Sequence, residues 1–169
     1  MSIYEYFFHL PHTSVLYGGV LYGLPTSLIR RLQSVQNATV RLIFSWRRSE
    51  HISPALISLH WLHIPERISF KLAVLTYRAI HGTRPSYFQY RFTRIADMPQ
   101  RRRLHLSGSD RLHVPIIRWS RVGSRTFTAS GDAVWNDLPA HLTAVPSLTV
   151  FRQRFKTFLF LRSYPHIVA

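Results

Sequence analysis

The sequence predicts a mainly α-helical domain with a small β-containing loop region. Apolar residues recur at helical spacing in three long segments, near residues 26–46, 65–81 and 147–162. Between about 95 and 130 this period disappears, and Pro, Gly and Ser mix with short β-prone runs. Its 169 residues suit one compact domain or a piece of a larger protein, and with 46% hydrophobic residues the chain is not disordered by composition.

The first long helix is predicted from about Thr26 to Trp46. Its apolar positions share one helical stripe and are expected to face the core: Leu28, Ile29, Leu32, Val35, Thr39, Leu42, Ile43 and Trp46. The opposite stripe is expected to face solvent and holds Arg30, Ser34, Asn37 and Arg41. A short helix follows in "ISPALISLHW", with Ser53 as its cap and Pro54 in the first helical position, where no amide donor is needed.

The second long helix is predicted from Pro65 to about His81, with Gly82 as its stop. Two neighbouring stripes of this helix are apolar, and they comprise Ile64, Ile68, Leu72, Leu75 and Ala79 beside Phe70, Ala73, Val74 and Tyr77. Only Arg67, Lys71 and Arg78 share a polar edge. A helix that is apolar over most of its circumference belongs near the centre of the core.

The rest of the chain is expected to form a loop with short strands and then two helices. Strands are predicted near Leu104–Leu106 and Val114–Trp119, and a short helix in "DAVWNDLP" that ends at Pro139. The last helix is predicted from Ser147 to about Arg162, with Arg152 and Lys156 one turn apart on its outside. Its inner face would hold Leu148, Phe151, Phe155, Phe158 and Leu159.

The charge of the chain is strongly unbalanced. Lys and Arg total 22 against 7 Asp and Glu, a formal net charge of +15, and Lys71 and Lys156 are the only lysines. An excess of this size predicts a polyanionic partner, for which nucleic acid is the leading candidate, since guanidinium groups pair with phosphate and stack on bases. The same excess would also fit charge that keeps an aromatic-rich chain in solution, a mitochondrial or genomic composition bias, or binding to an anionic membrane surface.

Several classes of protein are not indicated. The sequence has no cysteine, which excludes a disulfide framework, a thiolate zinc site and a cysteine nucleophile. No apolar run reaches the roughly 18 residues that a membrane span needs. The first 19 residues carry Glu5 and no Lys or Arg, so they lack the positive start of a secretory or mitochondrial leader.

Catalytic patterns are missing as well. The seven acids are dispersed, whereas polymerase and nuclease sites need clustered carboxylates to hold divalent metals. Asp132 and Asp137 are interpreted as helix-start and turn residues. His60 and His63 lack the acid of a HExxH zinc site, so packing at a helix junction or a contact to phosphate or base is the better interpretation. The sequence therefore predicts no catalysis by this chain alone, no metal and no cofactor.

Basic residues on the predicted helix edges and in the central loop are candidate nucleic-acid contacts. The helices expose cations at matching spacing, and the loop contains an arginine triplet that could follow a phosphate backbone. The full set is Arg30, Arg41, Arg67, Lys71, Arg78, Arg101, Arg102, Arg103, Arg111, Arg118, Arg152 and Lys156.

Six motifs, read in order, carry a resemblance to a known family. They are "LYGLPTSLIRRLQSVQNATVRLIF" at 21–44, "HISPALISLHWLHIPERISFKLAVLTYRAIHGTRPSYF" at 51–88, "RRLHLS" at 102–107, "GSRTF" at 123–127, "AVWNDLP" at 133–139 and "SLTVFRQRFKTFLF" at 147–160. Together they resemble the region after the catalytic core of LINE-type (non-LTR) retrotransposon reverse transcriptases, in the jockey and chicken-repeat group. His63 stands where that family usually has Pro, and the first 19 residues do not match.

The resemblance implies a polymerase thumb followed by a mostly helical C-terminal segment. It divides the chain into an irregular lead-in (1–19), a helical thumb-like segment (20–92), a basic loop with short strands (93–130) and a C-terminal helical segment (131–169). The parent would be an RNA-directed DNA polymerase whose catalytic aspartates lie in a fingers and palm region before this one. The chain itself would hold template RNA or the RNA–DNA hybrid, in the nucleus or in a cytoplasmic ribonucleoprotein.

Three alternatives remain at this point. The chain could be an interaction module that docks a polymerase core through a groove between the 26–46 and 147–162 helices. It could be a non-functional retroelement-derived fragment. It could also bind an anionic membrane through its Phe-rich last helix.

Overall fold

The computed structural model describes residues 21–82, 92–98, 111–114 and 127–167, and these parts are mainly helical. In chain order the α-helices are α1 Thr26–Phe44, α2 Ser53–Ser58, α3 Ile64–Ile80, α4 Phe127–Asn136, α5 Ala140–Thr143 and α6 Leu148–Ser163. Short 3-10 turns occupy Ile95–Asp97 and Pro165–Ile167. The mainly α fold class is therefore confirmed.

Only part of the predicted β-containing loop region lies within the described residues. Within the described ranges there is no β-strand, and one antiparallel bridge joins Arg94 to Leu112. The strand predicted at Leu104–Leu106 lies outside those ranges, as does the one at Val114–Trp119 apart from Val114, which is not in a strand.

Helix α3 lies at the centre of the fold, as its apolar circumference predicts. Eight of its 17 residues are buried, and it packs against α1, α4 and α6. The predicted stop holds too, because Gly82 follows the helix with φ of 68°. The polar edge is the predicted one, since Lys71 is exposed while Arg67 and Arg78 are half-buried.

Helix α6 packs antiparallel to α3 through aromatic rings. The Tyr77 ring stacks on Phe151 with centroids 4.7 Å apart, and the Phe70 ring stacks on Phe155 at 5.8 Å. The predicted inner face is confirmed: Phe151, Phe155 and Leu159 are buried and Leu148 and Phe158 are half-buried. Because this Phe-rich face lies in the core, it gives no support to membrane binding through α6.

The predicted orientation of α1 is wrong. Val35 is 65% exposed and Leu42 is 81% exposed, although both belong to the stripe expected to face the core. The face that packs inward carries Gln36 and Val40, which are buried, and Gln33 and Phe44, which are half-buried. Of the predicted stripe, Ile29 and Trp46 are half-buried and the other six residues are exposed. Both faces have helical spacing, so periodicity did not distinguish them.

Two glutamines explain why this face of α1 turns inward. Gln33 Oε1 accepts a hydrogen bond of 2.9 Å from the Ile64 backbone N–H, and Gln36 Nε2 donates one of 2.9 Å to the Leu62 carbonyl. Ile64 is the first residue of α3, whose N-cap His63 makes no side-chain cap. Gln33 therefore caps α3 from another helix and satisfies a donor that the helix itself leaves open.

The start of α4 and the position of Asp132 also differ from expectation. The helix begins at Phe127, ahead of the predicted segment, so Asp132 is not a helix-start residue but lies in the middle of α4. Its side chain is 1% exposed, and both carboxylate oxygens lack a hydrogen-bond partner within the described structure. Burial raises the pKa of Asp132 to about 7.

Ser53 is likewise not a cap, because Ile52 occupies the N-cap of α2.

Gly131 allows α4 to approach α3 closely. A Cβ added there would lie 2.7 Å from Thr76 Oγ1 and 3.0 Å from Phe92 Cε1. Thr76 is fully buried on α3, so its hydroxyl has little freedom to move away.

We expect Gly131→Ala to destabilise the protein, although alanine is the better helix former by about 1 kcal/mol. Overpacking should outweigh that gain and lower the free energy of unfolding by about 1–3 kcal/mol, measured by urea denaturation. Adding Thr76→Ala to Gly131→Ala should recover part of the loss. If Gly131→Ala alone were as stable as the wild type, α4 could move away from α3 without loss of free energy, and the prediction would be wrong.

The buried Asp132 predicts a stability that falls as pH rises. The folded-state pKa is raised, so ionisation opposes folding increasingly from about pH 4 to about pH 7 and then stays constant. We expect Asp132→Asn to raise the free energy of unfolding by up to about 4 kcal/mol at pH 8, the equivalent of about three pKa units, and by little near pH 4. Urea denaturation of both proteins at the two pH values measures this, and an equal difference at both would contradict it.

Candidate nucleic-acid interface

The seam between α3 and α6 brings together basic residues that are far apart in sequence. Lys71 lies one turn after Arg67 on α3, and Lys156 lies on α6. Burial lowers the pKa of Lys71 and of Lys156, and in both cases the positive charge of Arg67 lowers it further. The Phe70–Phe155 ring stack holds these parts of α3 and α6 side by side, so Arg67 and Lys71 lie across the seam from Lys156.

Helix geometry extends this cluster along the seam. Arg78 lies on the same stripe of α3 as Arg67, and Arg152 lies one turn before Lys156 on α6. Because the helices run antiparallel, Arg152 and Arg78 lie toward the same end of the seam, where Tyr77 stacks on Phe151. We call these five residues, Arg67, Lys71, Arg78, Arg152 and Lys156, the basic ridge.

The remaining candidate contacts do not belong to the basic ridge. Arg30 is exposed and Arg41 is half-buried, and both lie on α1. Arg111 is exposed beside the Arg94–Leu112 bridge, and its carbonyl accepts a 2.9 Å hydrogen bond from the Ile95 N–H. Arg101, Arg102, Arg103 and Arg118 lie outside the described residues.

Aromatic rings occupy one end of the basic ridge. The guanidinium carbon of Arg67 lies 5.6 Å from the centroid of the Trp61 ring, close enough for a cation–π contact. The His60 ring stacks on Phe160, with centroids 5.7 Å apart and an interplanar angle of 20°. Phe160 lies one turn beyond Lys156 on α6, so these rings continue the line of cations.

The two histidines serve first as packing groups, as one of their two interpretations predicted. His60 stacks on Phe160, and the His63 ring meets Tyr164 edge-on at 5.0 Å. The Tyr164 hydroxyl in turn donates a 2.6 Å hydrogen bond to the Trp61 carbonyl. Sequence reasoning missed Phe160 and Tyr164 as partners, because nothing in a helical period indicates which distant turn a ring will contact.

A cleft of about 360 Å³ lies on another side of the α3–α6 seam, next to α4. Its polar lining includes Glu66, Ser69 and Asp137, and its apolar lining includes Phe158. Glu66 Oε2 is buried without a hydrogen-bond partner inside the described ranges, and Arg162 approaches Asp137 to 3.8 Å. Acidic and basic groups are thus mixed here, unlike on the basic ridge.

Metal centres and membrane-spanning helices are two further features that concern the part of the chain that the structure describes. Among these residues, no group of three or more His, Cys, Asp or Glu side chains could hold a metal ion. None of the helices that the structure describes combines the length and apolarity required to cross a membrane.

Comparison of the chain with known protein families, with curated proteins and with solved structures finds no match. The interpretation of the basic ridge therefore depends on its own geometry and charge.

Proposed function

We propose that this chain is a non-catalytic nucleic-acid-binding part of a retrotransposon reverse transcriptase, and that it holds template RNA or an RNA–DNA hybrid along the basic ridge. The observation that carries the binding proposal is the placement of Arg67 and Lys71 on α3 beside Lys156 on α6, where the Phe70 ring stacks on Phe155. The ordered motifs from 21 to 160 support the retrotransposon origin by resemblance.

A phosphate backbone is the ligand that such a cluster favours. Burial chiefly, and the positive charge of Arg67 in addition, lower the pKa of Lys71 and of Lys156, so Arg67 repels both ammonium groups. A row of phosphates would turn that repulsion into attraction, and counterions released from the nucleic acid would add to the affinity. The chain's net charge of +15 would also speed the encounter with any polyanion.

Bond-making chemistry is assigned to a different part of the parent protein. The acids of this chain are dispersed in sequence, and the most deeply buried of those described, Asp132, lies among core residues. The chain would thus bind and position the nucleic acid for a catalytic core that lies in another part of the parent protein.

Neutralising the centre of the basic ridge should weaken RNA binding in a salt-dependent way. We expect the triple variant Arg67→Gln, Lys71→Gln, Lys156→Gln to reduce the slope of log affinity against log salt concentration by about 2 for single-stranded RNA. Fluorescence anisotropy with a labelled RNA oligonucleotide between about 50 and 200 mM salt measures this slope.

The matched control removes three exposed arginines that are not part of the basic ridge: Arg47→Gln, Arg48→Gln and Arg154→Gln. It lowers the net charge by the same amount and should change the slope much less. Equal losses in the two variants would mean that overall charge, not the basic ridge, holds the RNA. A wild-type protein that binds no RNA at either salt concentration would overturn the proposed function itself.

The exposed face of α1 favours a second candidate function, a protein-interaction module. Its large apolar residues follow the four–three spacing of a coiled-coil seam, and they remain in solvent: Leu28, Leu32, Val35 and Leu42, with Ile43 beside them. Contiguous exposed apolar faces mark interaction sites more often than chance allows. In the retrotransposon setting, the polymerase core would be the natural source of a partner.

Charge determines the kind of partner that suits this face. The α1 helix has no acidic residue, and Arg31 borders the exposed apolar stripe, whereas Arg30 and Arg41 lie on the opposite side of the helix. A second copy of α1 would bring like charges together, whereas an amphipathic helix with Leu at its seam and Glu beside it would pair with them. We therefore assign the face to an acidic amphipathic helix.

A designed peptide of about three heptads, with Leu at the seam and Glu beside it, provides the probe. We expect it to bind the wild type, and we expect Val35→Asp with Leu42→Asp to weaken binding at least tenfold by calorimetry. The same peptide with Lys in place of Glu is the control and should bind less tightly. Self-association of the chain in analytical ultracentrifugation, abolished by the same two substitutions, would instead identify a second copy as the occupant.

A further inference from the structure

We infer that the rings at the end of the basic ridge form a stacking site for an unpaired nucleobase, centred on His60 and bordered by Trp61 and Arg67. This inference deepens the proposed function, on which it rests, because it names the nucleic acid: a strand with unpaired bases beside the basic ridge. Three independent features of the turn between α2 and α3 support it.

The first feature is the backbone of His60. Its φ is 52°, in the left-handed region that residues with a side chain rarely adopt. The two residues after Leu59 close the C-terminus of α2, with the His60 N–H bonded to the Ile57 carbonyl and the Trp61 N–H to the Leu56 carbonyl, each at 2.9 Å. Glycine is the usual residue in this position of such a helix end. Histidine therefore costs stability that glycine would not.

The second feature is what this costly conformation achieves. It places the imidazole flat against Phe160, with an interplanar angle of 20°, while His60 itself remains exposed. An exposed ring that is held parallel to a second ring offers a rigid surface on which a base can stack.

The third feature is the position of this surface relative to the cations. Trp61, next to His60 in the chain, lies under the Arg67 guanidinium, and Phe160 lies one turn from Lys156. A strand whose phosphates lie along the basic ridge would thus bring its next base to the rings. A positively charged groove combined with stacking rings is the usual means of holding single strands.

The variant His60→Gly tests the inference, since it removes the ring and relieves the backbone at the same time. We expect its affinity for a single-stranded RNA oligonucleotide to fall about tenfold. Its affinities for the fully paired RNA duplex and for linear polyphosphate should stay within about twofold of the wild-type values, because those ligands present phosphates but no free base. Its melting temperature should not fall, since glycine suits the turn.

Two further variants complete the experiment. His60→Asn keeps a residue that tolerates the left-handed conformation but lacks a ring, and it should reproduce the tenfold loss if His60→Gly fails to fold. His51→Ala removes another exposed imidazole and should bind all three ligands as the wild type does.

The outcomes separate this inference from the proposed function. If the wild type binds neither RNA nor polyphosphate, the proposed function fails, and the stacking site fails with it. If the wild type binds RNA and His60→Gly binds the single strand equally well, the stacking site alone is wrong. Equal losses for single strand, duplex and polyphosphate would also overturn it, because His60 would then act through the basic ridge and not on a base.

Discussion

The burial of α3 is the constraint on which the rest of the structure depends. Neighbouring helices cover the helix on most sides, so only a narrow edge reaches solvent, and that edge carries Arg67, Lys71 and Arg78. Close-packed rings such as Tyr77 on Phe151 allow α3 little rotation about its own axis. The buried part of the helix therefore fixes the direction in which the polar edge faces. The position of the basic ridge therefore follows from packing, and its chemistry follows from charge.

The motifs that carry the resemblance act mainly as structural clamps. Gln33 and Gln36, in "RLQSVQNATVRL", hold the turn before α3 through its backbone. Asn136, in "AVWNDLP", makes two hydrogen bonds with the backbone of Leu112. Its Oδ1 accepts from the Leu112 N–H at 2.8 Å, and its Nδ2 donates to the Leu112 carbonyl at 2.9 Å. These amides replace backbone partners that irregular segments would otherwise lack. The shared motifs thus include residues that hold the fold together, whereas the basic ridge depends on the placement of charge.

Sequence reasoning succeeded where the hydrophobic pattern had one solution and failed where it had two. Helices α3 and α6 are apolar on faces that only one orientation can bury, so their ends and inner residues were predictable. Helix α1 has an apolar stripe and a second face with Gln33 and Gln36, and only the distant backbone at Leu62 and Ile64 decides between them. Asp132 was misplaced for a similar reason, since an acid near a glycine resembles a turn until the neighbouring helix is known. The convergence of Arg67 with Lys156 likewise depends on tertiary packing, which periodicity does not specify.

Hydrogen bonding and the burial of apolar side chains compete in setting the orientation of α1. Rotating the helix to bury its apolar stripe would leave the Ile64 N–H and the Leu62 carbonyl without partners, at about 1–3 kcal/mol each. Burying several large apolar side chains would gain about 1.5–3 kcal/mol for each one fully covered. The two hydrogen bonds act together with apolar side chains that the same face already covers, Val40 fully and Ile29 and Phe44 in part, which a rotated helix would return to water. Exposed Val35 and Leu42 are the cost of this orientation, and in return the inner face of α1 holds the turn from which α3 and the basic ridge begin.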